Sequence, residues 1–173
     1  MTTYRYKKVQ QATKREKRFV NDTNCKSIFI LFEGKTLHEM NAFAAEIRES
    51  LAPKKIIFCG YVRKLKKNEA GKIVHFDKLI TKKSLTLFGN PHEADISWAR
   101  AVECDLLVNL EATENNALDI ITAASTAPMK CGRNIITKKP HLFDFMLDVP
   151  AETSPKELLV EILNYVNSIQ RKK

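Results

Sequence analysis

The run SIFILFEGKTLHEM, residues 27–40, passes from an apolar stretch through Glu33-Gly34-Lys35-Thr36 into a helix-like pattern. Gly-Lys-Thr after a strand is the tail of a phosphate-binding loop, in which backbone N–H groups wrap the phosphates and the lysine reaches them. Such a loop needs a glycine five residues before Gly34, and that position is Phe29, inside the apolar run. The spacing therefore excludes a P-loop. It predicts a strand exit at Gly34, a capping box of Thr36 and Glu39 at the helix start, and a solvated Lys35.

Other residues with chemical potential are more dispersed. Glu33, Glu111 and Asp148 each close an apolar run. If the three runs are adjacent parallel strands, these carboxylates converge on the sheet edge where open α/β folds bind ligands, and could hold magnesium or orient a polar substrate. The small-residue segment ASTAPMKCGR, residues 124–133, offers Ser125 or Thr126 with Lys130 and Arg133, two cations able to grip a phosphate or carboxylate. The competing reading is a helix end packed closely on the sheet with a turn at Gly132. His38, His75, His92 and His141 are scattered, and neither G-x-S-x-G nor H-E-x-x-H occurs, so no nucleophile is assigned. Cys25, Cys59, Cys104 and Cys131 form no C-x-x-C pair and no zinc-finger spacing, which reads as reduced structural thiols. No metal site and no cofactor follow from these patterns.

Charge is the other lead. The 173 residues carry a formal net charge of +9. Residues 1–26 contribute +6, residues 61–83 another +6, residues 27–60 nothing, and residues 84–173 contribute −3. Lys7, Lys8, Lys14, Arg15, Lys17 and Arg18 in the first block, with Arg63, Lys64, Lys66 and Lys67 in the second, could neutralise phosphates, and Tyr4, Tyr6 and Phe19 could stack or anchor. The expected partner is RNA or another anionic macromolecule, met with steep salt dependence. The alternative is an arm docked on the acidic C-terminal half.

The elements that must position these groups follow from periodicity. Residues 4–20 read as a basic helical arm, partly docked. Ile28–Phe32 is continuously apolar, as in a strand covered on both faces. Met40, Phe43, Ala44, Ile47 and Leu51 make a helical stripe, and KIIFCGYV returns as a parallel strand. The basic segment 63–72 then bridges extended candidates IVHFDKLI and SLTLF. A short helix around Trp98, the strand CDLLVNL, a helix capped by Asn115 or Asn116, the strand LFDFMLDV and a closing helix with a Ser154/Glu157 capping box complete the chain. Arg171, Lys172 and Lys173 suit the negative end of that helix. This alternation predicts an α/β, Rossmann-like three-layer sandwich with a mostly parallel sheet of about five strands. Its division is a basic arm over 1–26 and one domain over 27–173. No run of 18 apolar residues and no apolar leader occurs, so the expected location is cytoplasmic.

Two resemblances add to this reading. ILFEGKT resembles the first motif of TOPRIM domains, which implies a magnesium-handling role for Glu33. That chemistry also requires an Asp-x-Asp pair on a later strand, and the corresponding DLLVNLEATEN has none. More broadly, KSIFILFEG after a basic helix, IIFCGYVRK, ADISWA, CDLLVNL, ASTAPMKCGR and FDFMLDV keep, across residues 27–166, the order seen in a family of bacterial α/β proteins classed as a domain of unknown function. That resemblance implies a Rossmann-like domain with a basic N-terminal helix and brings no catalytic residues. The functional expectation is a non-enzymatic binding or accessory protein with an anionic partner. The alternative is a small-ligand or magnesium-dependent phosphate-handling enzyme using the carboxyl edge of the sheet.

Overall fold

The computed structural model describes residues 2–66, 68, 69, 72, 75–135 and 141–169, with side chains from residue 5 onward. Lys67, the side chain of Tyr4, and residues 73, 74 and 171–173 lie outside the described residues. Among those described, six strands form one sheet: β1 (Ser27–Gly34), β2 (Lys55–Val62), β3 (Lys78–Thr81), β4 (Leu106–Asn109), β5 (Met129–Arg133) and β6 (Phe145–Leu147). All neighbours pair in parallel, in the order β3-β2-β1-β4-β5-β6. Five helices accompany them: α1 (Thr2–Ala12), α2 (Leu37–Ser50), α3 (Glu93–Ala101), α4 (Asn116–Ala124) and α5 (Pro155–Ser168).

Alternation along each strand divides the core in two. Ile28, Ile30, Phe58, Val108 and Cys131 face one way, against Ala44 and Ile47 of α2 and Leu158 and Ile162 of α5. Phe29, Leu31, Cys59 and Leu107 face the other, against Tyr6 of α1, Ile96 of α3, and Leu118 and Ile121 of α4. Helices thus cover both faces, which is why the central strands are apolar without interruption. This is the Rossmann-like three-layer sandwich expected from the sequence, with the strand order of a doubly wound sheet.

Three local expectations need correction. The sheet has six strands and is wholly parallel, because MKCGR is a strand: β5 is buried along its whole length. SLTLF is not one. A 3-10 turn over Lys82–Ser84 follows β3, and Leu85 then bridges Pro91 across a tight turn whose Gly89 has φ 71°. That left-handed value strongly favours glycine.

The N-terminal helix stops at Ala12, short of residue 20. Extending it would stack Lys14 on Lys17 and Arg18, and Arg15 on Arg18, at helical spacings where like charges repel. Residues 13–20 instead run along the amino edge of the sheet, where acids await them. Arg18 N–H donates to Pro128 O at 3.3 Å, and Val20 is fully buried beside α5.

Candidate functional site at the carboxyl edge of the sheet

Strand order reverses between β1 and β4, and the crevice at such a point is where doubly wound sheets hold ligands. Glu33 stands there as the penultimate residue of β1, its side chain 17% exposed. Its Oε1 accepts from Arg63 Nε at 3.0 Å and its Oε2 from Asn115 Nδ2 at 3.1 Å. Asn115 is occupied at its other end as well, since its Oδ1 accepts from the N–H groups of Ala117 (3.0 Å) and Leu118 (3.3 Å) and so caps α4. One amide thereby ties the first turn of α4 to the end of β1. Replacing Asn115 with Ala removes both ties and is expected to cost about 1–2 kcal/mol of stability by urea denaturation, the range for a lost N-cap.

Two clefts flank the Glu33–Arg63 pair. The larger, about 440 Å³, is walled by Tyr61 at the end of β2, Lys82 beyond β3, Leu85, Leu87 and Asn116. Burial, reinforced by the carboxylate of Glu33, raises the Tyr61 hydroxyl above its ordinary value, which keeps it a hydrogen-bond donor. The smaller, about 260 Å³, lies between the β1–α2 and β4–α4 connections and includes Lys35, Thr113 and Pro155. At the β1–α2 turn, Thr36 Oγ1 accepts from Glu39 N–H at 3.2 Å and caps α2, which is one half of the expected capping box. A Cβ on Gly34 would sit 2.1 Å from Met40 Cγ, so glycine admits the Met40 side chain against the strand exit. Ser154 and Glu157 form the full capping box on α5. The starts of α2, α4 and α5 at this edge therefore each engage a side chain of their own chain, whereas that of α3 at His92 has no side-chain cap.

The remaining acids do not complete a three-carboxylate site. Glu111 follows β4, next to β1, but is only 4% exposed and lines neither cleft. Asp148 follows β6, two strand spacings beyond β4, which is roughly 10 Å sideways in a sheet. Among the described residues, no group of three or more His, Cys, Asp or Glu side chains is placed to hold a metal ion. Cys25, Cys59 and Cys131 are buried and Cys104 is half-buried, and desolvation pushes Cys104 and Cys131 up to about 12, so neither supplies a thiolate.

Ser125, Lys130 and Arg133 are all buried and engaged with their own chain. Ser125 ends α4, and its Oγ accepts from Ala127 N–H. Lys130 reaches under α4 and donates from Nζ to Thr122 O at 2.6 Å. Arg133 donates to Pro150 O at 2.8 Å and to Thr153 O at 2.6 Å, bracing the turn between β6 and α5.

The basic residues are split between opposite edges. Arg15 forks onto Asp144 at 2.6 and 2.7 Å, Lys17 joins it at 3.1 Å, and Arg18 pairs with Asp105. Asp105 and Asp144 precede β4 and β6, so these cations lie along the amino edge. Arg63, Lys64 and Lys66 follow β2 and lie along the carboxyl edge, all exposed. Lys7, Lys8 and Lys14 are exposed on or just past α1. The arm and the loop therefore do not form one patch. Tyr61, Lys82 and Asn116 were missed as site residues, although Tyr61 and Lys82 occupy the strand-end positions that drew attention to the acids.

The profile of a family of unknown function, DUF6913, matches residues 2–169. The chain belongs to the DUF6913 family. No curated protein matches this DUF6913 chain. Among solved structures, a glycosyl transferase family 9 protein from Veillonella parvula DSM 2008 is similar to it at 14% identity, with a TM-score of 0.48. The match covers 91% of the DUF6913 chain and 44% of the other, so the chain spans less than half of that protein's length. Among the described residues, no helix is long and apolar enough to cross a membrane.

Proposed function

We propose that this DUF6913 chain is a binding protein for a small anionic ligand, taken in the cleft between Tyr61, Lys82 and Asn116. The carrying observation is that two cations, Arg63 and Lys82, line one crevice at the switch point, whose wall also carries the acids Glu33 and Glu114. Arg63 spends only its Nε on Glu33 in that pair, and its side chain is 72% exposed. Its terminal N–H groups remain able to meet a phosphate or carboxylate in two-pronged fashion. Tyr61, Leu85 and Leu87 offer an apolar wall for the rest of such a ligand, and Asn116 is already oriented by bonds to Gly89 O and Asn90 Oδ1. Glu33 acts as a positioning group that fixes Arg63, and no catalytic residue is assigned.

The test is a thermal-shift screen of nucleoside monophosphates, sugar phosphates and dicarboxylates, followed by calorimetry. At least one compound is expected to raise the melting temperature, with Arg63→Gln or Lys82→Gln each weakening it about tenfold or more, the scale of a lost charge-assisted hydrogen bond. No shift from any compound would overturn the reading. An RNA oligomer belongs in the same screen as the rival partner. It would act through the exposed Lys7, Lys8, Lys14, Lys64 and Lys66, and would leave binding insensitive to Lys82→Gln.

A further inference from the structure

Leu87 is 103% exposed and Phe88 is 69% exposed, side by side on the turn after β3. Nothing in the core uses them, and the turn that carries them is firmly built. Leu85 bridges Pro91, Thr86 N–H donates to Asn90 O at 2.9 Å, and Gly89 N–H donates to Thr86 O at 2.8 Å. From outside the turn, Asn116 Nδ2 donates to Gly89 O at 3.2 Å and to Asn90 Oδ1 at 3.0 Å. A loose loop could fold two apolar side chains back against the protein. This one holds them out in water.

Cations surround that tip. Lys82 and Lys83 are exposed on the 3-10 turn just before it, and Arg63, Lys64 and Lys66 are exposed on the exit of β2. Arg63, Lys82 and Leu87 line the same cleft, which places both groups on one edge of the sheet. An apolar tip alone holds a bilayer weakly, and a basic patch alone does so reversibly; the two together make a stable peripheral contact.

We propose that the Thr86–Asn90 turn is an anchor that docks the carboxyl edge of the sheet on an anionic lipid surface, with Leu87 and Phe88 entering the acyl boundary and the flanking lysines meeting the headgroups. A single-stranded nucleic acid would also favour cations, but it recognises planar stacking platforms. The more exposed member here, Leu87, is aliphatic and gives a base nothing to stack on, whereas an acyl chain accepts both side chains alike. This surface shares Arg63, Lys82 and Leu87 with the cleft, but vesicle binding is read with no soluble ligand present, so it can fail or hold whatever the cleft binds.

The experiment is vesicle co-sedimentation of the full chain, with phosphatidylcholine alone and with about one third phosphatidylserine added, at low and near-physiological salt. Binding is expected only to the anionic vesicles, weakening as salt rises. Leu87→Ser with Phe88→Ser is expected to lower it at least tenfold. Lys82→Gln with Lys83→Gln is expected to lower it about fivefold for each charge removed. Phe88→Trp supplies a reading that does not depend on losing binding, because the emission this variant adds to that of the parent should move to shorter wavelength on anionic vesicles. The proposal is overturned if anionic vesicles fail to sediment the protein at low salt, if the double serine variant binds as well as the parent, or if the added emission of the Phe88→Trp variant does not move. It is equally overturned if the serine changes abolish binding of an oligouridine and leave vesicle binding intact.

Discussion

Between pH 7 and 10, the stability of the protein is expected to rise relative to its Lys130→Met variant by about 1.4 kcal/mol for each pH unit. Lys130 is 2% exposed. Burial lowers its pKa from 10.5 to about 7, and the nearby Arg15 guanidinium adds to the fall against the opposing pull of Asp144. The sign follows from proton counting. Between about 7 and 10.5 the unfolded chain binds one proton that the folded protein does not, so removing protons from solution favours folding. Below about pH 7 both states carry the proton and the difference between parent and variant levels off.

Methionine has similar length and no titrating group, so the lost bond to Thr122 O enters as an offset that does not follow this slope. Urea midpoints for both proteins at each pH unit measure it, and the full span is on the order of 4–5 kcal/mol. A flat difference would mean that the amine reaches water.

The second large effect is expected at Asp144. Replacing it with Ala should destabilise the protein by about 2–3 kcal/mol, the scale of losing charge-assisted hydrogen bonds to a partly exposed carboxylate. The Arg15 side chain is only 10% exposed, and without Asp144 its charge would keep only the carbonyls of Ala127 and Pro128. Asp144 also accepts from the N–H of Lys130 at 2.9 Å, so the same substitution loosens the start of β6 against β5.

Burial pushes the Asp144 carboxyl up, but the bonds from Arg15, Lys17 and Lys130 N–H outweigh it and hold the carboxyl below the ordinary carboxylate range. The stability it contributes is therefore complete above that range and lost as pH falls through the lower, folded-state value. Acid titration of unfolding should show a steeper loss for the parent than for the Ala variant. Trypsin should cut the variant first among the cations at residues 14–18, which Asp144 no longer retains.

How much of this was legible in the sequence depended on whether local pattern or distant partners decided a segment. The β1–α2–β2 unit, a cap at one of the Asn115–Asn116 pair and the box at Ser154 are local and legible, because a strand buried on both faces and a capped amphipathic helix carry their own signals. β5 was hidden by Lys130, Gly132 and Arg133, which break an apolar run. Lys130 is accommodated only because a helix end offers Thr122 O, Arg133 because a turn offers Pro150 O and Thr153 O, and Gly132 because Phe143 lies where a Cβ would stand. SLTLF alternates well enough for a strand, yet Leu87 and Phe88 project into water, and no local rule distinguishes an apolar pair meant for the core from one left outside.

The candidate site was half visible. Glu33 stood out at the end of a strand. The Asn115 bond that holds it spans 82 positions, and its cleft neighbours Tyr61 and Lys82 became relevant only when the strand order was known.

The strap from residue 13 to residue 20 also carries a timetable. Arg15 leaves the ribosome 129 residues before Asp144. At synthesis rates of about 5–20 residues per second, that interval is roughly 6–26 seconds. For that time a strongly cationic stretch of the chain stands beside the ribosome's own RNA with its clasp not yet made. Arg18 can meet Asp105 earlier, but the Arg15 clasp can be fastened only after β5 has been synthesised. Closure of the strap is thus a late checkpoint on whether nearly the whole sheet has been assembled.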